Sequence, residues 1–276
     1  MQNYARWLST KLDEIQKEIS RDEKKPSLLL HACCAPCSSY VLEYLRRFFE
    51  ITIFYYNPNI HPKTEYARRL EELKNFLPKF SADSKNENFN LVEAEYFPQE
   101  FFDAVQAERD NLQNERERGE RCRRCYKLRM ERAFDFARKN KFDFFTTTLS
   151  ISPHKDAQKI NEIGAELEKS NLEKIAQAQA ESHAENSSKK FSENNYPKRN
   201  SSTPKKDFST PLEMTSILNS ARFSSASISE NFFPTKYLYA DFKKQNGFKR
   251  SLELSKEYGL YRQDYCGCIY SKENLR

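Results

Sequence analysis

The chain is 276 residues long, 38% hydrophobic and 31% charged, with 46 basic and 40 acidic side chains and a formal net charge of +6. No run of about 18 apolar residues occurs, which excludes a membrane-spanning helix. The charge-dense opening from Met1 to Lys25 lacks the apolar stretch of a secretory signal, so a cytoplasmic protein with no membrane contact is expected. The modest basic excess permits a nucleic-acid partner without demanding one, because clustering on one face is what matters.

Residues 1–25 read as an N-terminal helical extension. After Pro26, Ser27–His31 has the length and apolarity of a buried strand and leads into Cys33, Cys34 and Cys37. Ser38–Phe49 then carries Val41, Leu42 and Leu45 on one helical face. Ile51–Tyr56 predicts a second strand, and a helix with Tyr66, Leu70 and Leu73 in register runs from Pro62 or Lys63 to Phe76. Leu91–Ala94 and Phe142–Thr147 predict two more strands. Between them, Cys125–Asn140 predicts a helix with Met130, Ala133, Phe134 and Ala137 in register. Strands separated by helices imply an α/β fold with a parallel sheet flanked by helices. Ligands of such sheets bind at the carboxyl ends of the strands, where the first cysteine group and Thr146–Thr148 fall.

Residues 169–235 differ in composition: 25 of these 67 positions are Ser, Thr or Asn, and none is Cys, Gly or Trp. They read as a Ser/Asn/Lys-rich insertion, with Lys169–Ala184 able to extend a helix and the part after Glu185 largely disordered. Leu212, Met214, Ile217 and Leu218 offer a short amphipathic turn. The remaining residues, 26–168 and 236–271, form one catalytic domain.

Seven cysteines fall in three tight groups: Cys33/Cys34/Cys37, Cys122/Cys125 and Cys266/Cys268. Cysteines used only as small apolar core residues would scatter; clusters in a reducing compartment indicate metal ligation or redox chemistry. An iron–sulfur cluster, a structural zinc and metal-free redox thiols all fit the spacing, although adjacent Cys33-Cys34 suits a zinc knuckle poorly. Cys122 and Cys125 stand at the entrance of a helix, whose free N–H groups favour thiolates. Cys266-Gly267-Cys268 can close a small strained disulfide ring, or supply further ligands or free thiols.

Six ordered motifs resemble the epoxyqueuosine reductase family of the QueH type. They are His31-Ala-Cys-Cys-Ala-Pro-Cys37; Tyr56-Asn-Pro-Asn-Ile-His-Pro62 with Glu65-Tyr66; Glu120-Arg-Cys-Arg-Arg-Cys125; Thr146 through His154-Lys155; Asp241-Phe-Lys-Lys244 with Gly247 to Ser251; and Glu257 through Cys268. The resemblance implies a nucleotide-hydrolase-like (HUP) α/β core carrying a cysteine-rich metal site at its strand ends and a C-terminal Cys-Gly-Cys tail. It also implies two-electron reduction of epoxyqueuosine at the tRNA wobble position to queuosine, with release of water, the last step of queuosine biosynthesis. On this mapping Cys33, Cys34, Cys122 and Cys125 bind a [4Fe–4S] cluster, Cys37 is a candidate for an additional mononuclear iron, and Cys266 and Cys268 are a redox-active pair.

The partners implied are tRNA carrying epoxyqueuosine in its anticodon loop and an external electron donor. Candidate substrate or tRNA contacts are Tyr56, Asn57, Arg121, Arg124, Thr147, Lys155, Asp241, Arg250 and Arg262. Basic clusters at Arg121/Arg123/Arg124/Lys127 and Lys243/Lys244/Lys249/Arg250 offer phosphate contacts. Asp241, Tyr56, His61 and His154 are candidates for the acid that helps the oxygen leave. Two rival readings are a PP-loop tRNA thiolase and a zinc-stabilised RNA-binding protein. The thiolase needs a Ser-Gly-Gly-x-Asp-Ser loop after the first strand, where this chain has no glycine.

Overall fold

The computed structural model describes residues 3–83, 88–193 and 233–273. An N-terminal helix, α1 (Tyr4–Asp22), starts where the Asn3 side chain accepts from Arg6 N at 3.1 Å. It buries Leu8, Leu12 and Ile15 against the domain. The alternating core is β1 (Ser27–Ala32), α2 (Ala35–Leu45), β2 (Glu50–Tyr55), α3 (Lys63–Asp83) and β3 (Asn90–Glu93). It continues through α4 (Gln99–Val105), α5 (Glu120–Lys139) and β4 (Phe144–Thr147), then a 3-10 turn (Thr148–Ile151), α6 (Ala157–Glu193) and β5 (Lys236–Tyr237). Helices α7 (Gly247–Glu257) and α8 (Ile269–Glu273) follow.

All four strand pairings are parallel, in the order β3-β2-β1-β4-β5. Central β1 is buried on both faces, which explains its unbroken apolar run. Leu28, Leu30 and Ala32 face a core with α1, α2 and α3, while Leu29 packs with Met130, Ala133 and Phe134 of α5 and Ile160 and Ile163 of α6. No helix of the described residues is long and apolar enough to cross a membrane.

Element boundaries depart from the sequence pattern in informative places. Helix α2 begins at Ala35 rather than Ser38, because Pro36 occupies its first positions and Cys34 stands at its N-cap. Cys37 is therefore inside the helix. Helix α3 runs past Pro78 to Asp83, since Leu77 and Phe80 continue its buried face. Helix α5 begins at Glu120, five residues early, so Cys122 and Cys125 lie within it rather than at its entrance. Its cap is the Glu115 carboxylate, accepting from Glu120 N at 2.8 Å and Arg121 N at 2.7 Å. β3 is shifted back by one residue, and β4 starts at Phe144.

Helix α6 passes Glu168 and continues into the expected insertion as far as Glu193. The part read as disordered begins after Glu185; its first residues, 186–193, are instead the end of α6, since no Gly or Pro stands between Glu185 and Pro197, and the rest, with Leu212–Leu218, falls on residues 194–232, outside the described ones. The chain on its far side is tied back firmly: Asn161 exchanges two hydrogen bonds with the Ala240 backbone at 2.9 and 3.0 Å, and Asn171 Nδ2 donates to Phe233 O at 2.8 Å.

Candidate functional site

The strand order places β1 beside β4, with the chain winding outward in opposite directions from that pair. The crevice outside their carboxyl ends is where such sheets bind ligands. Cys33 and Cys34 directly follow β1, and Cys37 is in the first turn of α2. The three sulfurs lie within 4.8 Å of one another, with Cys33 and Cys34 3.8 Å apart. The turn is pinned across the crevice by Cys33 N donating to Thr148 Oγ1 at 3.3 Å and within α2 by Ser38 Oγ donating to Cys34 O at 2.8 Å. Hydrogen bonds from Cys34 and Cys37, then the Lys155 and Arg129 cations, hold the Cys33 thiol well below its ordinary range. The bond to Cys33 in turn pushes Cys37 up to about 12.

A cavity of about 490 Å³ opens on this group. Cys33, Cys34, Cys37 and Cys266 line it, with Lys155 and His154 opposite and Arg116, Arg262 and Asp264 among its other charged residues. A small adjoining cavity of about 20 Å³ is lined by Cys122, Cys125, Cys266 and Cys268 and shares Lys155, His154 and Glu117 with the first. All seven cysteines thus converge on two adjoining cavities, with Cys266 and Lys155 common to both. Lys155 is 9% exposed. Burial alone would lower its pKa, but the thiols of Cys33, Cys37 and Cys266 outweigh that and raise it, so its ammonium is the counter-charge of the site. Burial pushes Cys125 up to about 11, whereas the hydrogen bond from Cys268 pulls Cys266 down to about 5.

The Cys266–Cys268 turn is held by α3 and the segment after β2. His61 N donates to Gly267 O at 2.8 Å, and Tyr265 Oη donates to His61 O at 2.8 Å. Buried Arg69 donates to the carbonyls of Cys266 at 3.2 Å and Tyr265 at 3.4 Å while its Nε pairs with Glu65 at 2.6 Å. Gly267 has φ +98°, and a Cβ there would meet Arg69 Nη1 and Ile60 Cγ1, each at 2.9 Å. Only glycine satisfies both demands.

Of the substrate and tRNA candidates, Lys155 and Arg262 line the large cavity, as does His154 among the acid candidates. Arg262 is exposed there, with the Phe248 ring 5.6 Å from its guanidinium. Of the others, Arg121 lines the small adjoining cavity and the rest line neither. Tyr56 Oη donates to Glu100, and Asn57 is buried, donating to Ala32 O at 3.0 Å and accepting from Arg129 Nη2 at 2.5 Å. Arg121 is buried on the carbonyls of Leu112 and Gln113, at 2.9 and 2.6 Å. Arg124 holds Asp110 at 2.6 Å and Val105 O at 2.9 Å. Arg250 forks onto Glu43 at 2.7 and 3.0 Å on the α2–α7 face. Asp241 pairs with Lys243 at 2.8 Å beside a separate groove under α1.

Thr147 accepts from Leu149 N at 3.2 Å and lies 2.7 Å from buried His31 Nδ1, whose Nε2 is 3.1 Å from Tyr56 O. Sequence reasoning missed Arg69, Glu117 and Arg129, which look like surface charges when only their neighbours along the chain are considered.

The His31 bridge carries a pH signature. Burial, then the Arg129 charge, lowers its pKa to about 3, against an ordinary 6.5. The unfolded chain therefore binds more protons than the folded one between these values, and stability falls as pH drops from 6.5 toward 3. The expected slope from this residue approaches about 1.4 kcal/mol per pH unit mid-window. Urea unfolding of the wild type and His31→Asn at several pH values should show that component only in the wild type.

A thiol-rich metal group suits the donor set. Thiolates favour iron–sulfur clusters and zinc, and the three clustered sulfurs need no rearrangement of fold to share an ion. Around the adjoining cavity, Arg129 Nε, Arg121 Nε and Asn59 Oδ1 are buried without a hydrogen-bond partner. Orphaned N–H donors beside thiols match the hydrogen bonds that cluster sulfurs accept.

Fold and site together define a doubly wound α/β protein with a cysteine group that could hold a metal ion at its switch point. A model of the family described as epoxyqueuosine reductase QueH matches residues 28–200 and 198–274, and the chain belongs to that family. It is 33% identical to the epoxyqueuosine reductase QueH of Streptococcus pyogenes serotype M1 over 260 residues, covering 94% of this chain and 76% of the relative. The Staphylococcus epidermidis relative of the same name is 31% identical over 260 residues (94% and 82% covered), and that of Thermotoga maritima 26% over 245 residues (89% and 90%).

Proposed function

We propose that the chain reduces epoxyqueuosine to queuosine in the anticodon loop of tRNA, in the cytoplasm, as an iron–sulfur oxidoreductase. The observation that carries this reading is the convergence of all seven cysteines on two adjoining cavities at the switch point. Family membership supports the same activity and favours neither a thiolase nor a non-enzymatic RNA-binding protein.

In this reading Cys33, Cys34, Cys122 and Cys125 hold a [4Fe–4S] cluster, and Cys37 is available to an additional mononuclear iron. When bound, that group supplies electron transfer and Lewis acidity toward an oxygen substituent. The chain's own residues do the rest. A volume of about 490 Å³ accommodates one nucleoside turned out of an anticodon loop. Exposed Arg262 and Arg116 at the cavity suit flanking phosphates, and the Lys155 ammonium balances the thiolates that face the substrate. Cys266 and Cys268, held by Arg69, deliver two electrons as they pass from dithiol to disulfide, and an external electron donor restores them.

The reading is tested with anaerobically reduced protein and epoxyqueuosine-containing tRNA, by nucleoside mass spectrometry. The product should lack one oxygen and coelute with queuosine; unchanged substrate would contradict the proposal. Cys266→Ser and Cys268→Ser should retain iron and bind tRNA while losing multiple-turnover reduction at least about 100-fold. Loss of iron from these variants would move the tail cysteines into the ligand set.

A further inference from the structure

Converting an epoxide to an alkene breaks two C–O bonds and sends the oxygen out as water, so two protons must reach one oxygen. The proton source has to lie beside the cavity on which the cysteines converge. Of the four acids that the sequence offers, Tyr56 gives its hydroxyl to Glu100, Asp241 is paired with Lys243, and His61 Nδ1 lies 3.2 Å from Asn59 O. None of these three lines either thiol cavity among the described residues, whereas His154 lines both.

The turn that carries His154 is fixed: its N–H donates to Ser152 Oγ at 3.2 Å, Lys155 N donates to Ser152 O at 3.2 Å, and Arg118 donates to Pro153 O. His154 Nδ1 lies 3.7 Å from Glu117 Oε2, and the other oxygen of that carboxylate accepts from Ser271 Oγ at 2.8 Å. Glu117 therefore joins the histidine to the helix just beyond the cysteine tail. An imidazole with a carboxylate 3.7 Å from Nδ1 leaves Nε2 to serve a reacting oxygen, an arrangement suited to acid catalysis.

We propose that His154 is the proton donor of the reduction, with Glu117 as its positioning residue. This rests on the reductase reading above. As the first C–O bond opens, the imidazolium gives a proton to the epoxide oxygen; after reprotonation it gives a second as water departs. Two electrons come from Cys266 and Cys268, whose sulfurs join as a disulfide. The two protons equal those the dithiol releases, one from Cys268 and one already displaced from Cys266 into solvent. A second reprotonation from solvent returns His154 to the imidazolium. The charged residues that line the two cavities with it are Arg69, Arg116, Glu117, Lys155, Arg262 and Asp264 in the larger and Arg121 and Arg129 in the smaller, besides the seven cysteines.

The test is single-turnover reduction of epoxyqueuosine tRNA by iron-loaded, pre-reduced wild type, His154→Ala, His154→Gln and Glu117→Gln, as a function of pH, alongside tRNA affinity and iron content. Both His154 variants should be slower by about 10²–10⁴-fold, with the wild-type pH dependence flattened and with tRNA affinity and iron unchanged. The His154 side chain is 71% exposed, so added imidazole can reach its place and should restore His154→Ala but not His154→Gln. Glu117→Gln should slow the reaction and alter its pH profile while leaving tRNA affinity unchanged. Wild-type rate and pH profile in the His154 variants would overturn the assignment while leaving the reductase reading intact. A loss traced wholly to weaker tRNA binding, without imidazole rescue, would overturn it equally. Failure of the wild type itself to convert the tRNA would instead remove the reading on which the assignment stands.

Discussion

Cys33→Ser should abolish both metal retention and epoxide reduction. Cys33 is the most connected of the three: Cys34 Sγ is at 3.8 Å, its N–H is bonded to Thr148, and the Thr148 hydroxyl donates to its sulfur at 3.5 Å. A serine hydroxyl is a harder donor that stays protonated at neutral pH, so it replaces neither the charge nor the softness that iron requires. The substitution is nearly isosteric within a buried turn, and the fold should survive with a stability change within about 1–2 kcal/mol. The expected measurement is iron per chain reduced to background, with conversion lowered at least about 1,000-fold, in a protein of wild-type circular dichroism. Full iron and full turnover in Cys33→Ser would show that the first cysteine group is not the metal site.

Arg69→Met should be the most damaging single change outside the cysteines. Arg69 is 2% exposed, and its guanidinium joins the Glu65 carboxylate to the carbonyls of Tyr265 and Cys266. It also lies 5.2 Å from the Tyr265 ring centroid. Removing it leaves a nearly buried Glu65 carboxylate without its cation, which costs about 3–5 kcal/mol. Most of that penalty belongs to the stranded acid, so Arg69→Met/Glu65→Met should recover more than half of the stability. The double variant still lacks the clamp on the cysteine tail. Urea unfolding and turnover should therefore diverge: stability returns, whereas conversion stays low. Recovery of both together would show that Arg69 serves folding alone.

Much of the architecture was legible because the apolar spacing is unambiguous. The run Leu28–Leu30 reads as a strand buried on both faces, and the α5 face of Met130, Ala133, Phe134 and Ala137 reads directly from its spacing. Strands separated by helices forced a parallel sheet, which put the first cysteine group at a strand's carboxyl end before any geometry was available. What stayed hidden involves distant partners. The cap of α5 comes from Glu115 rather than an adjacent residue, so the start of that helix was placed at Cys125. β5 is two residues long, too short to show alternation.

Charge was the least legible quantity. Arg121, Arg124 and Arg250 look like a phosphate-binding surface in sequence, yet carbonyls and carboxylates from elsewhere in the fold engage each of them. Conversely, Glu117 sits in the run Glu115–Glu120, which resembles a solvated loop, but contacts both the tail and His154. Arg69 and Glu65 look like an ordinary surface pair one helical turn apart. Their burial follows from the return of the C-terminal segment over α3, a long-range contact that local pattern cannot announce.

The most direct test of the account is quantitation of iron, sulfide and zinc in anaerobically purified protein, followed in the same sample by reaction with epoxyqueuosine tRNA. At least four irons per chain with matching sulfide, and conversion to queuosine once reductant is added, is the predicted result. Zinc alone, with the modified nucleoside unchanged, would contradict it.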